Sequence, residues 1–175
     1  VKVLVTGASG FIGSTFLRRF AAREDVSLCG VGRRERIDLP ASVRYCALAL
    51  DRLDELDFVP DVVIHAAGRA SPWGTPREYT RENVETTRQV IDFCNRRNHP
   101  RLIFISSAAV YYRFAHRLNI RECDPIGPGF TSEYGCSLSF HAPGLLLWRL
   151  SALLCIRLRH EVRPRPLSKV NGMCW

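Results

Sequence analysis

The chain has 175 residues, 46% hydrophobic and 24% charged, an ordinary soluble composition that suffices for one domain with a core. No run of about 18 apolar residues is present to span a bilayer, and the chain opens on the strand-like VKVLVTG instead of a basic and apolar leader, so a cytoplasmic protein with no membrane partner is expected. The formal charge of +8 does not imply a nucleic-acid partner, because most of the excess lies late: residues 1–135 hold 19 basic and 16 acidic side chains, residues 136–175 six and one.

The elements follow in chain order. Residues 1–6 are a short buried-strand run, and residues 11–23 continue as a helix. Between them lies TGASGFIG, with Gly7, Gly10 and Gly13 in G-x-x-G-x-x-G spacing. Gly7 allows the tight turn, Gly10 lets a pyrophosphate approach the backbone, and Gly13 lets the helix pack on the strand. The first helical residues, Phe11 and Ile12, then present amides to the phosphates. A glycine triplet is weak evidence alone, but a strand before it and a helix after it make a dinucleotide site the expected function.

A second strand over 27–32 ends in GVGRRER. Dinucleotide domains usually carry an acid there for the ribose hydroxyls, and Arg33 and Arg34 stand in its place. Guanidinium forks suit a ribose phosphate, which favours NADP over NAD as cofactor; the alternative is two solvated arginines opening a loop. Residues 43–50 and 61–66 read as the third and fourth strands. A helix over 78–97 aligns Val84, Thr87, Val90, Ile91 and Cys94 on one face, and a fifth strand begins at residue 101. Apolar strands separated by helices predict an α/β fold, a Rossmann-type doubly wound parallel sheet with helices on both faces.

The tail changes character. It carries three of the seven cysteines (29, 46, 94, 123, 136, 155 and 174), two of the three tryptophans and almost no acid. GLLLWRLSALLCIRL, residues 144–158, reads as a buried helix without a polar face. The cysteines form no CxxC pair, so no metal site and no disulfide framework is expected, and they read as reduced thiols.

Taken in order, TGASGFIG, Asp51 after the third strand, VIHAAG on the fourth, YTRENVETT in the long helix, FISSAAVYY at the fifth strand and EYG beyond it resemble the extended short-chain dehydrogenase/reductase family, the NAD(P)-dependent epimerases, dehydratases and reductases. The resemblance covers residues 1–135, read as the NAD(P)-binding domain, with 136–175 a divergent tail. It implies that Asp51 accepts from the adenine amine with Arg52 beside it. Ala66, Ala67 and Gly68 would line the cofactor, and Asn83 would brace the active-site strand. Ser107 would hydrogen-bond the reacting hydroxyl or carbonyl, and Tyr134 would be the general acid/base. His65 ends a buried strand and reads as structural rather than as a base. A small-molecule substrate is implied, a nucleotide sugar or a similar alcohol or carbonyl, and a homodimer for the intact family member.

One position departs from that pattern. A phenol titrates near about 10, so a catalytic tyrosine needs a cation or strong donor nearby. The family places lysine four residues after the tyrosine, and this chain has Leu138, with Arg149 three turns further along. Family members also continue into a second, substrate-binding lobe that 175 residues do not contain. Three readings follow: an oxidoreductase of this family, impaired in this chain; a non-catalytic NAD(P)-binding pseudoenzyme or sensor; or a product whose residues from 136 on derive from a shifted frame.

Overall fold

The computed structural model describes residues 1–114, 118–121, 124–126, 129–139 and 153–154. Among them, β1 (Lys2–Thr6), β2 (Ser27–Gly32), β3 (Arg44–Ala47), β4 (Val62–His65), β5 (Arg101–Ile105) and β6 (Leu153–Leu154) form one sheet in the order β3-β2-β1-β4-β5-β6. Every neighbouring pair is parallel. The chain runs outward from β1 to β3, then returns to place β4 on the other side of β1. A crevice therefore opens between β1 and β4 at their carboxyl ends.

Alternation along the strands sends side chains to two cores. Leu4, Cys29, Val31, Val63 and Leu102 pack with Val90, Phe93 and Cys94 of α3 (Thr86–Arg96). Val3, Val5, Leu28 and Ile64 pack with Leu17 of α1 (Phe11–Phe20) on the other face. Helices thus cover both faces, as apolar parallel strands require, and the doubly wound expectation holds. The four described cysteines, 29, 46, 94 and 136, are free. Burial, reinforced by neighbouring Cys46, pushes the Cys29 thiol up to about 12, and burial alone does the same for Cys94, so both behave as core side chains.

Several boundaries differ from the sequence pattern. The first helix stops at Phe20, short of 23, where the chain turns through Arg23 N–H to the Phe20 carbonyl and Arg23 grips Asp25 with two bonds of 2.8 and 2.7 Å. The third strand is trimmed to Arg44–Ala47, and the chain winds into a 3-10 helix over Leu50–Glu55. The long helix begins earlier than residue 78, as α2 (Pro76–Tyr79), because Thr75 and Glu78 form a reciprocal capping box with proline at the first position.

That helix is not continuous either: a π turn, Thr80–Glu85, separates α2 from α3. The Thr86 hydroxyl donates to the Glu82 carbonyl and the Thr87 hydroxyl to the Asn83 carbonyl, each at 2.7 Å, so two side chains at the start of α3 bond back onto carbonyls of the π turn. Leu153 and Leu154, inside the run read as helix, extend the sheet beside Phe104 and Ile105. The unpaired edge of β5 offers a ladder there, and pairing prevails over helical pattern. Arg149 and the rest of the tail after 139 lie outside the described residues.

Candidate functional site

The glycine loop is built by close approach. Gly7 has φ of +70°, and a Cβ on it would lie 2.6 Å from both the Ala66 carbonyl oxygen and the Ala67 amide nitrogen at the end of β4. Gly13 similarly lets α1 settle against the Gly7 carbonyl. Gly7→Ala therefore combines a left-handed backbone with a steric clash. We expect it to destabilise the domain by about 2–5 kcal/mol in a denaturant titration; a change below the resolution of that titration would mean the loop relaxes freely.

Gly10 is the N-cap of α1, and no side chain caps the helix. The amides of its first turn are therefore open to an anion, with no acid in that turn to oppose one. Phe11 stands in solvent at 86% exposure, while Ile12 turns into a cleft.

That cleft, about 450 Å³ including the space open to solvent, lies at the carboxyl ends of β4 and β5 beside the start of α1. Ile12, Ala66, Ala67, Gly68, Asn83 and Tyr134 line it, so six residues singled out in the sequence meet in one place. Ser107 does not line it. Its Oγ accepts from the Ala109 amide at 3.3 Å and caps a 3-10 turn over Ala108–Tyr111, while Ser106 faces the cleft.

Tyr134 sits on α4 (Glu133–Ser139), with its ring 6.2 Å from that of Tyr79. Gly135 lets α4 close on the 3-10 turn, since a Cβ there would come within 2.7 Å of the Ala109 carbonyl oxygen. Leu138 faces the same cleft and packs with Phe104, Val110 and Tyr111 at 9% exposure. An apolar side chain thus fills the position one turn beyond the tyrosine.

The ribose end lies along β2. Arg33 and Arg34 are exposed where that strand ends, and neither pairs with a carboxylate among the described residues. Tyr45 donates to the Arg34 carbonyl at 2.6 Å and holds this turn. Burial pushes the Tyr45 phenol up, and the Arg34 charge pulls the other way. Asp51 is exposed at the start of the 3-10 helix. Arg52 is engaged elsewhere, its Nε 2.7 Å from Glu55 Oε1 in a two-pronged pair that raises the guanidinium pKa and lowers that of the carboxyl.

Three groups at the cleft or beside it were not singled out as site residues in the sequence. Arg69, on the loop after β4, lines the cleft between Glu78 and Glu82 at 3.7 Å each, and donates to the Trp73 carbonyl at 3.0 Å. Ser137 receives Asn83 Nδ2 at 2.9 Å and donates to the Tyr134 carbonyl at 2.8 Å, which binds α4 to the π turn. Thr87 lines the cleft below Asn83. A serine three residues after the tyrosine was the available signal for the second, and nothing local announced Arg69. No group of three or more metal-ligating side chains occurs among the described residues.

A family model described as the NAD dependent epimerase/dehydratase family matches residues 3–138. A 2-alkyl-3-oxoalkanoate reductase of Stenotrophomonas maltophilia is 25% identical over 174 residues, covering 91% of this chain and 50% of the relative. A UDP-glucose 4-epimerase of Azospirillum brasilense is 33% identical over 151 residues, covering 78% and 41%. The chain thus spans about half the length, or less, of these curated relatives. Among solved structures, a Thermus thermophilus UDP-glucose 4-epimerase in complex with NAD superposes with a TM-score of 0.72 at 23% identity, over 85% of this chain and 50% of that one. At such identity the likeness establishes the fold.

Proposed function

This chain belongs to the NAD dependent epimerase/dehydratase family, and on that premise we propose that it binds a nicotinamide dinucleotide, NADP in preference to NAD, in an oxidoreductase site for a nucleotide sugar or similar alcohol or carbonyl, a site whose turnover is impaired in this chain. The observation that carries this reading is the convergence of Ile12, the end of β4, Asn83 and Tyr134 on one cleft at the switch point between β1 and β4. The residues fit such a group: α1 starts at a glycine with no side-chain cap, and two arginines without a carboxylate partner among the described residues stand at the end of β2.

In this reading the amides after Gly10 hold the pyrophosphate. Arg33 and Arg34 take the ribose phosphate and Asp51 the adenine amine, while the Arg52 guanidinium is paired with Glu55. Ala66, Ala67 and Gly68 form the apolar floor. Once bound, the nicotinamide supplies a hydride donor or acceptor. Tyr134 would move the proton of the reacting oxygen, and Ser107, whose Oγ accepts from the Ala109 amide and keeps its own proton to donate, would hydrogen-bond that oxygen on turning toward the cleft. No described helix is long and apolar enough to cross a membrane; a cytoplasmic location and a homodimeric assembly belong to the proposal.

Calorimetric titration with NADPH and NADH tests the reading. NADPH is expected to bind more tightly, and Arg33→Ala to weaken it by about 1–3 kcal/mol, the scale of a charge-assisted bond to phosphate. Tighter NADH binding by the unaltered chain would overturn the NADP assignment, and binding of neither would overturn the site. Leu138 favours a second reading, a cofactor-binding module without turnover, because a leucine cannot lower the tyrosine's affinity for its proton.

A further inference from the structure

We propose that His65 is a positioning residue: through Thr87 its imidazole fixes the π turn that aims Asn83 at both Arg69 and Ser137, and so sets the place of Tyr134 at the cleft. The inference rests on the reading above for the meaning of Tyr134, but its geometry stands independently.

Thr6 of β1 and His65 of β4 are register partners on neighbouring strands, and both are fully buried. His65 Nδ1 lies 2.6 Å from Thr6 Oγ1, and Nε2 lies 2.9 Å from Thr87 Oγ1. Thr87 Oγ1 is also 2.7 Å from the Asn83 carbonyl, which can only accept, so the single hydroxyl proton of Thr87 goes there. The Thr87 oxygen must then accept from an N–H on His65 Nε2. In a neutral imidazole that leaves Nδ1 with its lone pair, accepting from the Thr6 hydroxyl. One ring proton thus satisfies both contacts, and the imidazole ties the centre of the sheet to the start of α3.

What the tie holds is the π turn. Asn83 sits inside it at 3% exposure, with its amide bonds distributed over two other segments. Oδ1 accepts from the Arg69 amide at 2.6 Å, while Nδ2 donates to the Arg69 carbonyl at 3.3 Å and to Ser137 Oγ at 2.9 Å. Ser137 Oγ passes its own proton to the Tyr134 carbonyl at 2.8 Å. An ordinary α turn in place of the π turn would rotate Asn83 relative to α3, and one amide would no longer reach both the loop after β4 and α4. A buried hydrogen-bonded network of this kind specifies one arrangement because any broken member leaves a polar group unpaired.

The test is amide hydrogen exchange of the full chain without nucleotide, read segment by segment. His65→Asn keeps a polar group near Nδ1 but cannot reach Thr87; His65→Gln carries an amide nitrogen out to the position of Nε2. His65→Asn and Thr87→Val are each expected to lower protection over 80–88 and 133–139 by about tenfold, the scale of one lost buried hydrogen bond. Protection over 2–5 and 27–32 should stay unchanged, His65→Gln should restore the pattern, and Ser137→Ala should loosen 133–139 alone. Unchanged protection over 133–139, loosening spread evenly through the sheet, or a His65→Gln variant as loose as His65→Asn would each overturn the proposal. Nucleotide titration of the unaltered chain reports on the cofactor reading separately, so either can fail while the other stands.

Discussion

Gly10→Val is expected to abolish nucleotide binding while leaving the fold nearly intact. The position has φ of −87° and ψ of 171°, a backbone that any residue adopts. An added Cβ would meet only the Gly7 carbonyl oxygen, at 3.2 Å, so little must move. The valine methyls would instead occupy the space in front of the α1 amides, where a pyrophosphate has to approach. We expect affinity to fall by more than about 100-fold, roughly 3 kcal/mol or more, with a thermal midpoint close to that of the unaltered chain. Retained binding, seen as a thermal shift at saturating NADPH, would mean that the loop is only a turn. The contrast with Gly7→Ala is informative, since that substitution acts on stability through Ala66 and Ala67 rather than on the ligand.

Leu138→Lys should alter both packing and chemistry. Leu138 is a member of the small cluster with Phe104, Val110 and Tyr111, so replacing it removes buried apolar surface worth about 1.5–3 kcal/mol, partly offset if the lysine stem lies along the same surface. Its ammonium would emerge into the cleft that Tyr134 lines, one helical turn away. A cation there favours the tyrosinate, so tyrosinate absorbance should grow in at lower pH than in the unaltered chain. We expect no turnover of nucleotide sugars by either form, because a cation alone provides neither substrate orientation nor a water-excluded site. Oxidoreduction appearing in Leu138→Lys but not in the unaltered chain would show that the cation was the only missing part. The module reading would then give way to that of an impaired enzyme.

The part of the site legible in the sequence is the part built from consecutive residues. The glycine loop, the Arg33–Arg34 turn and the end of β4 each lie within one motif, and the glycine loop packs directly against the end of β4. The family resemblance brought Asn83 and Tyr134 to notice, and both line the cleft. Ser107 shows where reading by motif stops. Whether it or Ser106 faces the cleft depends on the 3-10 turn that follows, and in this structure the Ser107 hydroxyl is held by the Ala109 amide.

By itself the sequence determined the parallel sheet, the order of its first five strands and the glycine turn between β1 and α1. Apolar periodicity, glycine and proline act on the backbone within a few residues, so their effect is already present in the linear pattern. Only the tertiary structure decided that Thr6, His65 and Thr87 form one hydrogen-bonded line, that Asn83 joins Arg69 to Ser137, and that Arg52 is held by Glu55. It also decided that the long helix contains a π turn, which its apolar spacing does not reveal. The physical reason is that a polar side chain takes whichever partner the fold brings within about 3 Å. Residues 54 apart, such as Asn83 and Ser137, become neighbours only after the sheet has assembled and α4 has closed over it.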